Sequence, residues 1–148
     1  RRRGPRRHRR VPSLAAVDTS VAVPALLGWH EHHEVCRRRA AGARVPAHVL
    51  LEAFSVLTRL PAPHRVDADV AHEALGRWFP PTSVLALDGE IQRAALDRLH
   101  AAGVDGGRVY DGVVALTVAT HDERLLTRDR RAVQTYEALG IDFELIGY

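Results

Sequence analysis

Residues 108–146, RVYDGVVALTVATHDERLLTRDRRAVQTYEALGIDFELI, contain the clearest pattern of secondary structure in the chain. It begins with a mostly apolar helical pattern over 108–121, and a short apolar strand follows over 124–127. A second helix is predicted over 130–139 and a last strand over 141–146. Helices that alternate with strands in this way predict βαβ units, in which helices cover both faces of a parallel sheet.

The same alternation extends towards the amino terminus. Further elements are predicted as strands over 13–17, just before residue 47 and over 83–88, and as helices over 21–28, 30–42, 47–60, 67–79 and 89–102. No linker or internal repeat divides the chain. We therefore expect a single domain over residues 13–148, folded as a three-layer α/β/α sandwich with a short, mainly parallel central sheet.

The composition of the 148-residue chain predicts a cytoplasmic protein. Hydrophobic residues make up 46% and charged residues 26%, as in ordinary globular domains. No apolar run approaches the roughly 18 residues of a membrane span, and no hydrophobic signal segment follows the basic first residues, so no membrane partner is expected. The single cysteine excludes an internal disulfide and a cysteine-based zinc site.

The positive charge of the chain is concentrated in RRRGPRRHRR, residues 1–10. Seven of the 21 basic residues, all of them arginines, lie there. The rest of the chain has 14 arginines and 18 acidic residues, which gives it a formal charge of −4. Residues 1–12 are predicted to be a disordered arginine-rich tail, because they offer almost nothing to bury and repel one another. The tail is either a non-specific RNA clamp or an extension outside the fold.

Four aspartates are predicted at one edge of the sheet. Asp18, Asp88 and Asp129 each follow a strand, and Asp111 lies in the first turn of a helix that starts from the same edge. Each has a structural explanation, because aspartate caps free N–H groups at a helix start and suits the helix dipole. Together they would repel one another unless a cation lies between them, and oxygen ligands favour Mg²⁺ or Mn²⁺.

A further acid lies on the helix predicted over 47–60. Its polar residues, Glu52, Ser55 and Arg59, form one narrow stripe on an otherwise apolar helix. The stripe fits either a solvated face or the polar side of a buried helix that lines a cleft. The pattern alone leaves the role of Glu52 open.

Four segments resemble, in order, the signature segments of PIN domains. They are VDTSV at 17–21, LLEAFSVLTRL at 50–60, YDGVVALTVAT at 110–120 and LLTRDRRA at 125–132. The resemblance is closest to VapC-type toxins of bacterial type II toxin–antitoxin systems. One departure is THDER at 120–124, where many relatives have a glycine turn.

The resemblance implies an Mg²⁺- or Mn²⁺-dependent endoribonuclease. Such proteins are usually homodimers, are inhibited by a cognate VapB-like antitoxin, and cleave structured RNA such as tRNA or ribosomal RNA. Position by position, the catalytic and metal-binding acids of the family fall on Asp18, Glu52, Asp111 and Asp129. Thr127 takes the supporting hydroxyl position, and Asp88 matches no member of the quartet, which leaves it to helix capping.

The arginines around Asp129 are candidates for contacts with RNA phosphates. Arg128, Arg130 and Arg131 would attract the backbone that an acidic cavity repels, although ordinary surface salt bridges explain them equally well. HEHHE at 30–34 places imidazoles at a spacing that could bind zinc, but a solvated helix face is the expected explanation. Trp78 and Phe79 are expected in the core or a dimer contact rather than against bases.

Three other functions compete with the toxin hypothesis. A housekeeping RNA-processing nuclease would use the same fold, and a non-catalytic RNA- or protein-binding module would not need the acids. A haloacid-dehalogenase-type phosphatase would need a second aspartate two residues after Asp18, where the sequence has Ser20. No glycine-rich phosphate loop of the Walker type is present.

Overall fold

The computed structural model describes residues 14–147. Within that range five short strands and seven α-helices alternate along the chain. The strands are β1 Ala15–Val17, β2 Val45–Pro46, β3 Val84–Leu85, β4 Arg124–Thr127 and β5 Phe143–Leu145. The helices are α1 Thr19–Leu26, α2 His33–Ala40, α3 Ala47–Arg59, α4 Ala68–Trp78, α5 Gly89–Ala101, α6 Arg108–Thr120 and α7 Val133–Ala138. The predicted tail over 1–12 lies outside the described residues.

The strands are arranged in the spatial order β3-β2-β1-β4-β5. β4 pairs in parallel with β1 and β5, and β2 pairs in parallel with β3. The two groups are joined next to β2, where the N–H of Val17 donates to the carbonyl of Arg44 at 3.0 Å and the N–H of Arg44 donates to the carbonyl of Ala15 at 2.9 Å. β1 and β4 therefore lie side by side at the centre, and the chain leaves both at the same edge.

The helices pack in two groups around this sheet. α1 contacts α2 and α3, and α3 contacts α4, whereas α5, α6 and α7 form a second set. The strand residues between them are fully or nearly fully buried, among them Val17, Leu125 and Leu126. Burial on both faces explains why these strands are apolar without alternation. The predicted α/β sandwich with a parallel sheet is confirmed.

Several predicted elements are shorter than expected, and three of them have a clear local reason. The strand predicted over 83–88 is reduced to β3, because a 3₁₀ turn occupies 81–83 and a helix cap follows. The helix predicted over 30–42 begins only at His33, after consecutive turns. The helix predicted over 130–139 begins at Val133, because side chains bind the backbone of the preceding loop and hold it out of helical geometry.

The far edge of the sheet carries the THDER segment. Asp122 adopts a left-handed conformation with φ of 54°, which glycine adopts without steric cost. Glu123, beside it, is buried and lies 3.5 Å from the guanidinium of Arg44. Among the described helices, none is both long enough and apolar enough to cross a membrane.

Candidate active site

Four acids line one open cavity of about 520 Å³ at the edge where β1 and β4 end. Asp18 directly follows β1 and Asp129 comes two residues after β4, so neighbouring parallel strands bring them together. Asp111 projects from the first turn of α6, and Glu52 reaches the same cavity from the middle of α3. The topology thus gathers the four acids proposed from the sequence, including Glu52, which the helical pattern alone left open.

Asp18 is the most deeply buried of the four, with 5% of its surface exposed. It occupies the cap position of α1, but its side chain makes no capping bond. Its carboxylate instead accepts hydrogen bonds from the hydroxyls of Ser20 and Tyr136, the latter at 3.0 Å. Capping therefore does not explain Asp18.

Burial raises the pKa of Asp18 to about 6. Hydrogen bonds from the hydroxyls of Ser20, Thr127 and Tyr136 favour the charged form and limit the rise, whereas the negative charge of Asp129 adds to it. Tyr136 is itself buried, and burial together with the Asp18 carboxylate raises the pKa of its phenol. The phenol thus stays protonated at neutral pH and remains a donor.

Thr127 and Ser20 hold the loop that carries Asp129. Thr127 is fully buried, and its hydroxyl accepts a 3.0 Å bond from the N–H of Asp129. Ser20 Oγ lies 3.4 Å from the same hydroxyl and accepts a 2.7 Å bond from the N–H of Arg128. The carboxylate of Asp129 accepts from the N–H of Arg131 at 2.9 Å. A chain of hydroxyls therefore connects the loop after β4 to the carboxylate after β1.

Two residues of this network, Ser20 and Tyr136, were not predicted as site residues. Ser20 had a signal, because it lies two positions after the first acid within VDTSV. Tyr136 had none, since it lies in α7 and reaches Asp18 only through the tertiary fold.

Asp111 and Glu52 form the more open side of the cavity. Asp111 is half-buried, and its pKa is raised by burial first and then by the charges of Asp129 and Glu52. Glu52 lies 3.1 Å from the imidazole of His48, one turn earlier on α3. Both alternatives for the polar stripe hold in part, because Glu52 lines the cavity while Leu51, next to it on α3, is 71% exposed.

The donor set suits a hard cation. Carboxylates that raise one another's pKa favour a cation between them, and all four offer oxygen ligands. In residues 14–147, no three carboxylate, imidazole or thiol groups are gathered tightly enough to hold a metal ion by themselves. Mg²⁺ is typically bound through one or two carboxylates and keeps several waters.

The three arginines after β4 differ in their surroundings. Arg128 lines the cavity, but its guanidinium donates to the carbonyls of Ile146 and Gly147 at 2.9 and 3.1 Å, so it also fastens the chain after β5. Arg131 is almost fully exposed, 3.7 Å from the Asp129 carboxylate, and Arg130 is exposed beside it. Their contact with phosphate stays a prediction.

Asp88 lies apart from the cavity. Its carboxylate accepts from the N–H of Ile91 at 2.9 Å and caps α5, as predicted. The strand before it, β3, is two strands away from β1. The same edge of the sheet thus carries a structural acid and, nearer its centre, the cavity acids.

The HEHHE segment is not the solvated helix face that was expected. α2 begins only at His33, so the imidazoles are not at helical spacing, and His30, Glu31 and His32 line the acidic cavity. Phe79, which was expected in the core or a dimer contact, is 2% exposed and lies in the core.

Comparison with known proteins shows which family has this architecture. A family model described as the PIN domain matches residues 15–138. The chain belongs to the PIN domain family. This PIN domain is 43% identical over 134 residues to Ribonuclease VapC40 of Mycobacterium tuberculosis (strain ATCC 25618 / H37Rv), a match that covers 90% of the chain and 99% of the relative. The resemblance to VapC-type proteins predicted from the four segments is confirmed.

Solved structures share the fold of this PIN domain at low identity. FitAB bound to an IR36 DNA fragment superposes with a TM-score of 0.66 at 17% identity, covering 88% of this chain and 94% of the other. DNA-bound VapBC from Salmonella typhimurium gives a TM-score of 0.63 at 18% identity, with 89% and 97% covered. At these identities the likeness concerns the fold alone.

Proposed function

We propose that this PIN domain is an Mg²⁺- or Mn²⁺-dependent endoribonuclease toxin of the VapC type. The observation that carries the proposal is the convergence of Asp18, Glu52, Asp111 and Asp129 on one cavity. The identity of 43% to a protein named as a ribonuclease supports the choice of RNA as the substrate.

The four acids would have different roles in binding the cation. Asp18, Glu52 and Asp111 would bind it directly or through water, and Asp129 would complete the pocket. A bound divalent ion lowers the pKa of a water ligand and neutralises charge that develops on a phosphate. With its pKa near 6, Asp18 is mostly ionised at neutral pH and available as a ligand.

The hydroxyl network positions these acids for the reaction. Tyr136 and Ser20 fix both carboxylate oxygens of Asp18 from the protein side. Thr127 fixes the backbone of Asp129. Rigid carboxylates matter because a catalytic group displaced by about 1 Å can lose roughly 100-fold in rate.

RNA must approach an acidic cavity, so cations at its rim are needed. Arg130 and Arg131 are exposed beside Asp129 and are the candidates for phosphate contacts, with Arg128 set deeper. The arginines of residues 1–10 would add non-specific attraction by releasing counterions from phosphates. We propose a structured RNA, tRNA or ribosomal RNA, as substrate.

We further propose regulation by a cognate VapB-like antitoxin, a homodimeric state and a cytoplasmic location. These proposals rest on membership of the family and on the VapC relative, and the solved structures with the same fold include one titled VapBC. An antitoxin that covers the cavity would keep RNA from the four acids.

The proposal is tested by incubating the purified protein with total RNA and Mg²⁺ or Mn²⁺, with and without chelator, and sequencing the new ends. Asp129→Asn runs beside the wild type, and Asp97→Asn is the matched control, since Asp97 is an exposed acid of α5 that pairs with Arg93. We expect discrete cuts that need metal, are lost in Asp129→Asn and persist in Asp97→Asn.

Two outcomes would contradict the proposal. Cleavage that survives both chelator and Asp129→Asn would show that another site cuts RNA. RNA binding without any cleavage, unchanged by substitution of the acids, would favour a non-catalytic binding module. Sedimentation of the protein alone tests the homodimer in the same preparation.

A further inference from the structure

Four aromatic rings lie in succession at the mouth of the acidic cavity. We call this set the ring cluster: Trp29, His30, His32 and His64. The ring centroids of Trp29 and His64 are 4.2 Å apart, those of Trp29 and His30 are 5.8 Å apart, and those of His30 and His32 are 5.6 Å apart. These spacings are those of interacting aromatic pairs.

The ring cluster leads from the cavity into solvent. His30 and His32 line the same cavity as the four acids. Trp29 is 54% exposed, and its partner His64 is exposed on the loop between α3 and α4. The cluster is therefore assembled by two loops, α1–α2 and α3–α4, and continues the cavity outward.

The ring cluster offers flat aromatic surfaces to a ligand. Burial lowers the pKa of His30, and the neighbouring His32 adds to that effect, which favours the uncharged imidazole. Trp29 is 54% exposed, so about half of its surface is open to a flat ligand. Nucleobases stack on such rings without regard to sequence, because every base has a π-face.

We propose that the ring cluster is a subsite for unpaired nucleotides, on which the RNA strand next to the scissile phosphate stacks its bases. The inference rests on the proposed ribonuclease function of the cavity. It narrows the substrate to a single-stranded segment or loop, because the bases of a duplex already stack on one another and cannot reach the rings.

The test measures RNA binding without cleavage. Asp129→Asn, Trp78→Phe protein with Mg²⁺ has Trp29 as its one tryptophan, since the chain has two. It is titrated with an unstructured oligoribonucleotide of about ten nucleotides, and with the same strand in a duplex. We expect the single strand to quench Trp29 fluorescence and the duplex to leave it unchanged.

Substitution then gives the size of the effect, read as anisotropy of labelled RNA in the Asp129→Asn protein. Trp29→Ala is expected to weaken single-strand binding by about 5- to 100-fold, the usual range for one stacked base. Trp29→Phe should restore most of the affinity, because a flat ring remains. His64→Ala provides a second, independent change if Trp29→Ala does not fold.

Leu96→Ala is the matched control, because Leu96 is similarly exposed, at 56%, but lies on α5 away from the cavity. All variants keep the arginines of residues 1–10, so non-specific attraction of RNA by these arginines is the same in each variant. The loss of RNA affinity in Trp29→Ala should therefore persist at higher salt, which weakens the non-specific attraction.

The outcomes separate this inference from the proposed function. Wild-type protein that cuts RNA while Trp29→Ala and His64→Ala bind and cut equally well would overturn the subsite and leave the nuclease intact. Unchanged RNA affinity with weakened self-association in sedimentation would assign the cluster to a contact between copies and overturn it too. If the wild type neither binds nor cuts any RNA, both fail together.

Discussion

Asp18→Asn should make the protein inactive and, at neutral pH, more stable. The carboxyl is 5% exposed, and burial raises its pKa from 3.8 to about 6. Between these two values the native state binds more protons than the unfolded state, so the free energy of unfolding falls as pH rises. Above pH 7 the penalty is complete, and at 1.36 kcal/mol per pKa unit it amounts to roughly 3 kcal/mol.

The asparagine variant carries no such penalty at any pH. At pH 5, where native Asp18 is mostly protonated, the penalty in the wild type is only about 1.5 kcal/mol. The stability of Asp18→Asn relative to wild type should therefore grow by about 1.5 kcal/mol from pH 5 to pH 7.5. For a chain of this size, a full gain of about 3 kcal/mol raises Tm by roughly 6–12 °C.

The assay is urea unfolding at pH 5, 6 and 7.5 with chelator present, so that no bound cation offsets the buried charge. Taking the difference between variant and wild type removes the contribution of every other titrating group. Tyr136→Phe supplies the opposite test, because losing a donor to the carboxylate should raise the pKa of Asp18 further and reduce stability at pH 7.5. A stability difference between Asp18→Asn and wild type that stays constant from pH 5 to 7.5 would refute the reasoning.

Two pairs of substitutions give further tests. Gly76→Ala should stabilise the protein by up to about 1 kcal/mol, because Gly76 lies in exposed α4 with open space at its Cβ position. Gly112→Ala should lose that gain or destabilise, since its Cβ would collide with Leu99 in the core, and urea unfolding compares the two. Arg131→Ala should weaken RNA binding and reduce its salt slope by about one. Arg128→Ala should instead lower Tm, because the Arg128 guanidinium binds two carbonyls after β5. Equal effects of Arg131→Ala and Arg128→Ala on RNA binding and on Tm would contradict these separate roles.

The sequence predicted the order of elements because each signal is local. Short apolar stretches of two or three residues identify β1 and β4, and caps and glycines identify the helix ends. The position of Asp129 at the same edge as Asp18 then follows from parallel topology alone. Asp88 shows the limit of this reasoning. It also follows a strand at the same edge of the sheet as Asp18 and Asp129, and only the order of the strands in the sheet places it away from the cavity.

The parts that could not be predicted depend on tertiary contacts. Tyr136 reaches Asp18 across 118 positions of sequence, and no local pattern in α7 signals it. HEHHE was assigned to a helix face because His30, His33 and Glu34 have helical spacing in the sequence, whereas turns place His30 and His32 at the cavity. Arg128 belongs to an arginine cluster in the sequence but reaches back to the carbonyls after β5 in the fold.

The central claim is that the fold selects four acids of the sheet edge and its neighbouring helices as a cation site. Mn²⁺ titration followed by electron paramagnetic resonance tests it directly, on the wild type, on Asp18→Asn, Glu52→Gln, Asp111→Asn and Asp129→Asn, and on Asp88→Asn. Asparagine still caps a helix, so the last variant keeps its structure. We expect Mn²⁺ binding that is weakened in the four cavity variants and unchanged in Asp88→Asn. Mn²⁺ binding that is absent from the wild type, or indifferent to all four substitutions, would contradict the claim.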